Sequence, residues 1–399
     1  MLGVGAAAAL VLAGCSEKST GDSEATGTDG AGGLSIQPVM QIDAEGKEVP
    51  ATDTTSAADP AGDGSATCPA GTSIAMAGAL TGPNAALGIN ILNGAKLAID
   101  QHNTANPGCQ IELKPFDTEG NPQKATQVIP QIINDPTVLG LVGPAFSGET
   151  KATGQILSDA GLVAVSSSAT NASLTQNGWQ SFFRGLANDD VQGPSVANYM
   201  INTAGYKKVC VVQDNTDYGT GLAASVTAAL GPVADPACAA SIKEGDKDFS
   251  ATVTKISSVN PDAIFYSGYY AEAAPLAQQL KSGGVEATFV SADGSNDPQF
   301  VAQAGSSATG AVLSCPCGPA PKEFTTEYEA LNGQAPGVYS VEAYDLATIL
   351  ATGIDDGKLT RPDLLAFVRG YDGAGLARQY KWNPDGELSN ALIWVYEVK

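Results

Sequence analysis

The chain has 399 residues, with 42 Asp and Glu against 20 Lys and Arg, a single histidine and a formal net charge of −22. A surface this acidic repels phosphate backbones, which argues against nucleic acid as a partner. One histidine, His102, leaves a His-based triad only that residue and excludes any site with two or more His ligands. At roughly 150 residues per domain, the length predicts two to three domains with an ample core. Hydrophobic residues make up 43% and charged residues 16%, with 46 glycines, which suits a secreted globular protein.

Residues 2–12 (LGVGAAAALVL) are apolar and uncharged. A membrane helix needs about 20 such residues, so the run reads as the h-region of a signal peptide over 1–14. No Lys or Arg follows Met1, so the positive n-region is missing and the expected start lies upstream or the leader is truncated. Leu12-Ala13-Gly14-Cys15 stands where the apolar run ends and looks like a bacterial lipobox. Cys15 would then carry a lipid and hold the protein on the extracytoplasmic face of the cell membrane. A chance Cys in an Ala/Gly-rich leader is the plainer alternative, and its position argues against it. Residues 16–67 are rich in Gly, Ser, Thr, Ala and Asp, with no aromatic residue. Such a segment buries too little to offset its ordering entropy. Residues 15–67 are therefore expected to be a disordered acidic tether with an end-to-end distance of roughly 40 Å.

The cysteines are Cys15, Cys68, Cys109, Cys210, Cys238, Cys315 and Cys317. Six remain beyond Cys15, which fits an oxidising exterior. Proximity along the chain favours Cys68–Cys109, Cys210–Cys238 and Cys315–Cys317. The alternative for Cys315-Pro316-Cys317 is a metal or redox site. It lacks further soft ligands nearby, and a redox dithiol usually has two intervening residues. A structural disulfide in a tight loop is expected, with no metal and no cofactor.

From Thr72 onward, strand-like runs alternate with helical patterns. Strands are predicted at 72–79, 110–116, 137–143, 162–166 and 181–186, with helices near 86–103, 122–134, 148–160 and 171–177. A second series has strands near 208–213, 237–242, 262–267, 286–291 and 310–314. Its helices lie near 190–204, 219–230, 248–259, 271–283 and 297–304. This alternation predicts an α/β protein with two doubly wound parallel-sheet lobes. Residues 322–370 look mostly helical, which predicts a return to the first lobe. Residues 375–397 look like two strands (ARQYKWNP and NALIWVYEV) around a turn at Asn383–Gly386.

In open parallel sheets, ligands sit beyond the carboxyl ends of the strands. Ser147 and Thr170 follow such ends and are N-cap types, and helix starts bind anions. Plain capping explains most such residues. Tyr218, Tyr269 and Asp293 follow strand ends of the second series. An Asp before Gly is often only a turn former. Facing hydroxyl donors across a cleft, it would suit an ammonium group.

These strand ends carry a family resemblance over about residues 70–399. The chain resembles the substrate-binding lipoproteins of branched-chain amino-acid ABC transporters, related to the leucine/isoleucine/valine-binding protein. The anchors include Gly78-Ala79-Leu80-Thr81-Gly82-Pro83, Val142-Gly143-Pro144 with Ser147, Gln192-Gly193-Pro194, Tyr218-Gly219-Thr220-Gly221, Tyr266-Ser267-Gly268-Tyr269 and Asp293-Gly294. The resemblance implies a type I periplasmic-binding-protein fold, two lobes joined by a three-strand hinge that close on a ligand. It implies a first lobe of 68–188 plus 318–376, a second of 189–314 plus 384–399, and crossovers near 188, 314–318 and 376–384. It implies that Ser147, Ser168 and Thr170 receive the carboxylate of an amino acid. Ala169 matches a backbone contact near the amino group, Asp293 the acidic partner of the ammonium, and Tyr218 and Tyr269 wall residues. Phe146, Leu87 and Tyr339 align with side-chain pocket positions. Three departures stand out. The acid is Asp rather than Glu, Leu87 replaces an aromatic residue, and Gly120 replaces a cysteine.

The implied function is capture of an amino acid, branched-chain or otherwise apolar, and its delivery by a monomer to ABC permease subunits. One rival in the same fold binds amides, urea or another small polar metabolite. Another is a ligand sensor for a membrane receptor. An enzyme is disfavoured. Gly219-Thr220-Gly221-Leu222-Ala223-Ala224 resembles a dinucleotide fingerprint but starts several residues after its strand. No GxSxG elbow occurs.

Overall fold

The computed structural model describes residues 33–51, 57–389 and 393–399. The signal peptide over 1–14 and the lipidation of Cys15 lie outside the described residues. In chain order, β1 (Ile36–Ile42) and β2 (Glu48–Val49) precede β3 (Ser73–Gly78), α1 (Ala85–Ala105), β4 (Glu112–Asp117) and α2 (Pro122–Asn134). Then come β5 (Val138–Val142), α3 (Ser147–Asp159), β6 (Val163–Ser166), β7 (Phe182–Arg184) and α4 (Asp189–Asn198). The second series is β8 (Val209–Gln213), α5 (Asp217–Leu230), β9 (Ala240–Ser241), α6 (Ser250–Val259), β10 (Ala263–Ser267), α7 (Tyr270–Ser282), β11 (Thr288–Ser291), α8 (Pro298–Ala304) and β12 (Val312–Cys315). The chain ends with α9 (Lys322–Asn332), α10 (Ser340–Asp355), α11 (Arg361–Gly370), β13 (Asp372–Ala374), β14 (Gln379–Lys381) and β15 (Ile393–Val398).

Two sheets organise these elements. A five-stranded parallel sheet runs β4-β3-β5-β6-β7, and an eight-stranded sheet runs β2-β1-β15-β12-β11-β10-β8-β9. In the larger sheet, β12, β11, β10, β8 and β9 are parallel, β15 pairs antiparallel with β12, and β1 pairs antiparallel with β15. Central strands such as β5 and β10 are buried along their whole length, as continuous apolar runs covered on both faces require. The two-lobe α/β architecture expected from the sequence is the one that forms. Beyond its initial entry from β2 to β3, the chain passes between the sheets after β7, after β12 and after β14.

The helices after β12 return to the first sheet, where α10 packs on α1 and α11 on β5 and β6. The approach of α10 to α1 needs a glycine. A Cβ on Gly94 would lie 2.0 Å from Ser340 O. Cys68 pairs with Cys109, Cys210 with Cys238, and Cys315 with Cys317.

Two expectations are corrected. The disordered tether does not extend through residue 67. Residues 36–42 form β1, which pairs with β15 from Ile36↔Val398 to Ile42↔Ile393. Past it, Ala58 N donates to Ala374 O at 2.8 Å, and Asn106 Nδ2 donates to Ala61 O at 3.0 Å. A strand added to an existing sheet needs no core of its own, because the sheet supplies both its hydrogen bonds and its apolar face. Residues 15–32 and 52–56 lie outside the described residues. The two C-terminal strands form on either side of the turn and join different sheets. β14 pairs with β13, β15 joins the second-lobe sheet, and a single bridge, Trp382↔Leu388, spans the turn. The expected helix at 171–177 is a 3-10 turn over Ala172–Thr175, its start capped by Asn171.

Candidate functional site

The strand ends of the two sheets meet across a cleft. On the first lobe, β5 runs into Gly143, a cis Gly143–Pro144 peptide, and then Ala145 and Phe146 before α3 begins. Ser166 Oγ and Thr150 Oγ1 both donate to Pro144 O, at 2.8 and 3.2 Å, and so fix this turn. α1 contributes Leu87 and Ile91, one helical turn apart on the buried face. Tyr339 caps α10 in the left-handed region, with φ of 70°, a conformation costly for a residue other than glycine. On the second lobe, Tyr218 lies in the first turn of α5, Tyr269 just before α7, and Asp293 just beyond β11.

A cavity lies where these meet. Leu87, Ile91, Ala145, Phe146, Ser168 and Tyr339 line it from the first lobe, and Tyr218, Tyr269 and Asp293 from the second. The Tyr269 ring centroid lies 5.0 Å from that of Phe146 and 5.1 Å from that of Tyr218, so three aromatic rings form one continuous wall. Asp293 is 1% exposed. Its Oδ1 accepts from Gln192 Nε2 at 2.8 Å and from Tyr218 OH at 3.0 Å, and its Oδ2 accepts from Tyr339 OH at 2.6 Å. Burial pushes its carboxyl above the usual range, and the three donors work against that shift. No Lys or Arg is among the residues lining the cavity. The arrangement therefore presents one hydrogen-bonded carboxylate to whatever the cleft holds, beside an apolar surface.

Seven of the ten expected site residues converge here: Leu87, Phe146, Ser168, Tyr218, Tyr269, Asp293 and Tyr339. Ser147, Ala169 and Thr170 are buried but do not line the cavity. Ser147 Oγ accepts from Asn171 N at 3.3 Å, and Ala169 N donates to Ser166 Oγ at 3.1 Å. Ala169 O accepts from Arg184 Nη1, and Thr170 O accepts from Asp189 N at 2.9 Å. Arg184 is itself paired with Glu387, Nη2 to Oε1 at 2.9 Å.

Ile91, Ala145, Gln192 and Asp189 were not singled out as site residues. The helical repeat from Leu87 could have found Ile91. Gln192 and Asp189 carry no such signal, since packing alone brings α4 to the cleft. Burial pushes Asp189 up to about 8, against the Thr170 hydroxyl and with the Asp293 charge adding to the rise. Burial also raises Glu149, to about 8, and its Oε2 accepts from Phe146 N at 3.1 Å at the start of α3.

Among the described residues, one cluster of three potential metal-ligating side chains occurs, His102, Cys109 and Asp355. Cys109 is committed to its disulfide, and His102 Nε2 lies 2.8 Å from Asp355 Oδ1, so the geometry is that of a buried histidine paired with a partly exposed aspartate. No helix among the described residues is long and apolar enough to cross a membrane.

A family model described as periplasmic binding protein matches residues 71–399. The leucine-, isoleucine-, valine-, threonine-, and alanine-binding protein of Pseudomonas aeruginosa is 29% identical over 332 residues, covering 81% of this chain and 89% of that protein. The leucine-specific-binding protein of Salmonella typhimurium is 29% identical, covering 81% and 90%. Among solved structures, the branched-chain amino acid transporter substrate binding protein LivJ from Streptococcus pneumoniae, in complex with isoleucine, is similar with a TM-score of 0.74 and 29% identity. That similarity covers 79% of this chain and 93% of the other.

Proposed function

Because the chain belongs to the periplasmic binding protein family, we propose that it captures an apolar α-amino acid such as leucine, isoleucine or valine between its lobes and hands it to an ABC importer. The observation that carries this reading is Asp293, a buried carboxylate held by three donors and facing an apolar wall of Leu87, Ile91, Ala145 and Phe146. Such a carboxylate suits an ammonium group, which offers the charge-assisted hydrogen bonds that offset the cost of burying both ions. The apolar wall suits an aliphatic side chain. The ligand carboxylate would be received on the first lobe by Ser168, which lines the cavity, while Ser147 and Thr170, also expected to receive it, and Ala169, expected as a backbone contact, are buried off the cavity wall. Hydroxyls and helix-start amides bind an anion without a Lys or Arg.

The protein's work in this reading is capture, with no covalent step. A monomer held at the extracytoplasmic membrane face through a lipid on Cys15 closes on its ligand and docks on permease subunits. The experiment is a thermal-shift and calorimetric titration of the protein with L-leucine, L-isoleucine, L-valine, amides and urea. Bound ligand raises apparent stability by mass action. The expected result is a rise with the aliphatic amino acids. A rise with amides or urea and none with amino acids overturns the reading.

A further inference from the structure

Asp293 accepts from three side chains, and one of them stands outside the cavity wall. Gln192 is fully buried on α4. Its Nε2 donates to Asp293 Oδ1 at 2.8 Å and lies 3.3 Å from Ser314 O and 3.2 Å from Ser314 Oγ. Ser314 belongs to β12, and the chain leaves β12 at Cys315 for its second passage between the lobes. α4 follows the first passage directly, and Asn188 Oδ1 caps its start by accepting from Val191 N at 3.1 Å. The helix packs on β12 and β15. One side chain thus joins the ligand-facing carboxylate to the strand of the second passage, from the helix that follows the first. An amide nitrogen suits this place because its two hydrogens can serve a carboxylate and a neighbouring oxygen together. A glutamate there would set another carboxylate against Asp293.

We propose that Gln192 is a positioning residue for ligand capture: it holds the Asp293 carboxylate in place for an ammonium group and ties it to β12. This rests on the amino-acid reading of the site. A residue that merely fills the core would contribute the same stability whatever stood at position 293. A donor to a carboxylate contributes only where that carboxylate is ionised. The titratable groups facing Asp293 are Tyr218 from α5, Tyr339 from the turn before α10, Tyr269 from the turn before α7 and Asp189 from α4. β12 faces Gln192 with Ser314, which does not titrate.

The test compares Gln192→Met, a near-isosteric loss of the donor, in the natural and Asp293→Asn backgrounds. Thermal unfolding is followed from pH 5 to pH 9 without ligand, and L-leucine is titrated by calorimetry. The expected results are a loss of leucine affinity of about tenfold or more and a fall in thermal midpoint that is larger at pH 9 than at pH 5. That pH-dependent part should vanish in the Asp293→Asn background. Gln192→Asn keeps the amide on a shorter stem, should give intermediate values, and serves if the Met variant does not fold. Unchanged leucine affinity, with a midpoint loss independent of pH and background, overturns the proposal. If the natural protein ignores leucine while the pH- and background-dependent coupling persists, the amino-acid reading falls and the Gln192–Asp293 link stands.

Discussion

Asp293 and Asp189 are both buried acids, and they lead to different expectations. Asp293 has three donors and faces the cleft. In the amino-acid reading, Asp293→Ala leaves an ammonium group buried without its partner. We expect leucine binding to weaken at least tenfold, measured by calorimetric titration, because an unpaired buried charge costs several kcal/mol. Near-native binding by that variant would remove Asp293 from the ammonium site. Asp189 makes its contribution to pH dependence instead. Its carboxyl is raised from 3.8 to about 8 by burial. A raised acid binds its proton more tightly when folded than when unfolded, so it costs stability as pH climbs above its unfolded value, up to its folded one. The thermal midpoint of the ligand-free protein should therefore fall between about pH 4 and pH 8. Asp189→Asn should flatten that fall, and an unchanged slope would contradict the assignment.

At the level of elements, β1 carries the main surprise. Ile36, Met40 and Ile42 turn toward the protein in a segment whose overall composition is that of a tether, and β15 gives them a sheet to join. The turn after β1 also docks on the second lobe. Asn198 Nδ2 donates to Ala44 O at 2.7 Å, Thr203 Oγ1 donates to Gly46 O at 2.9 Å, and a Cβ on Gly46 would lie 2.1 Å from Tyr199 N. Removing residues up to 51 would expose the edge of β15 and the C-terminal end of α4. Truncation is expected to lower the denaturation midpoint and to promote aggregation, read by light scattering, through the open strand edge. A truncated protein as stable and as soluble as the full chain would show that β1 is dispensable.

Across the whole molecule, the family resemblance drawn from the order and spacing of short motifs is borne out, and so is its two-lobe fold. The Cys315–Cys317 disulfide stands where the chain leaves β12, with Cys317 O accepting from Tyr396 OH at 3.0 Å. Such a ring beside a passage between lobes would stiffen it. The paired substitution Cys315→Ser with Cys317→Ser is expected to change leucine affinity and to increase the solution radius of the ligand-free protein by small-angle scattering. Unchanged affinity and radius would leave the disulfide with no part in closure.

The sequence by itself determined the alternation of strands and helices, because apolar periodicity is a local property that survives in any context. Strand ends marked Tyr218, Tyr269 and Asp293, since strand ends of parallel sheets converge on one edge, and the family resemblance added Leu87, Phe146, Ser168 and Tyr339. Tertiary structure alone decided the partners of the C-terminal strands, β13 for β14, and β12 and β1 for β15. It alone made β1 a strand and set Gln192 against Asp293. Strand pairing and buried polar contacts depend on which partner lies nearby after folding, and one segment read along the chain holds no record of that partner.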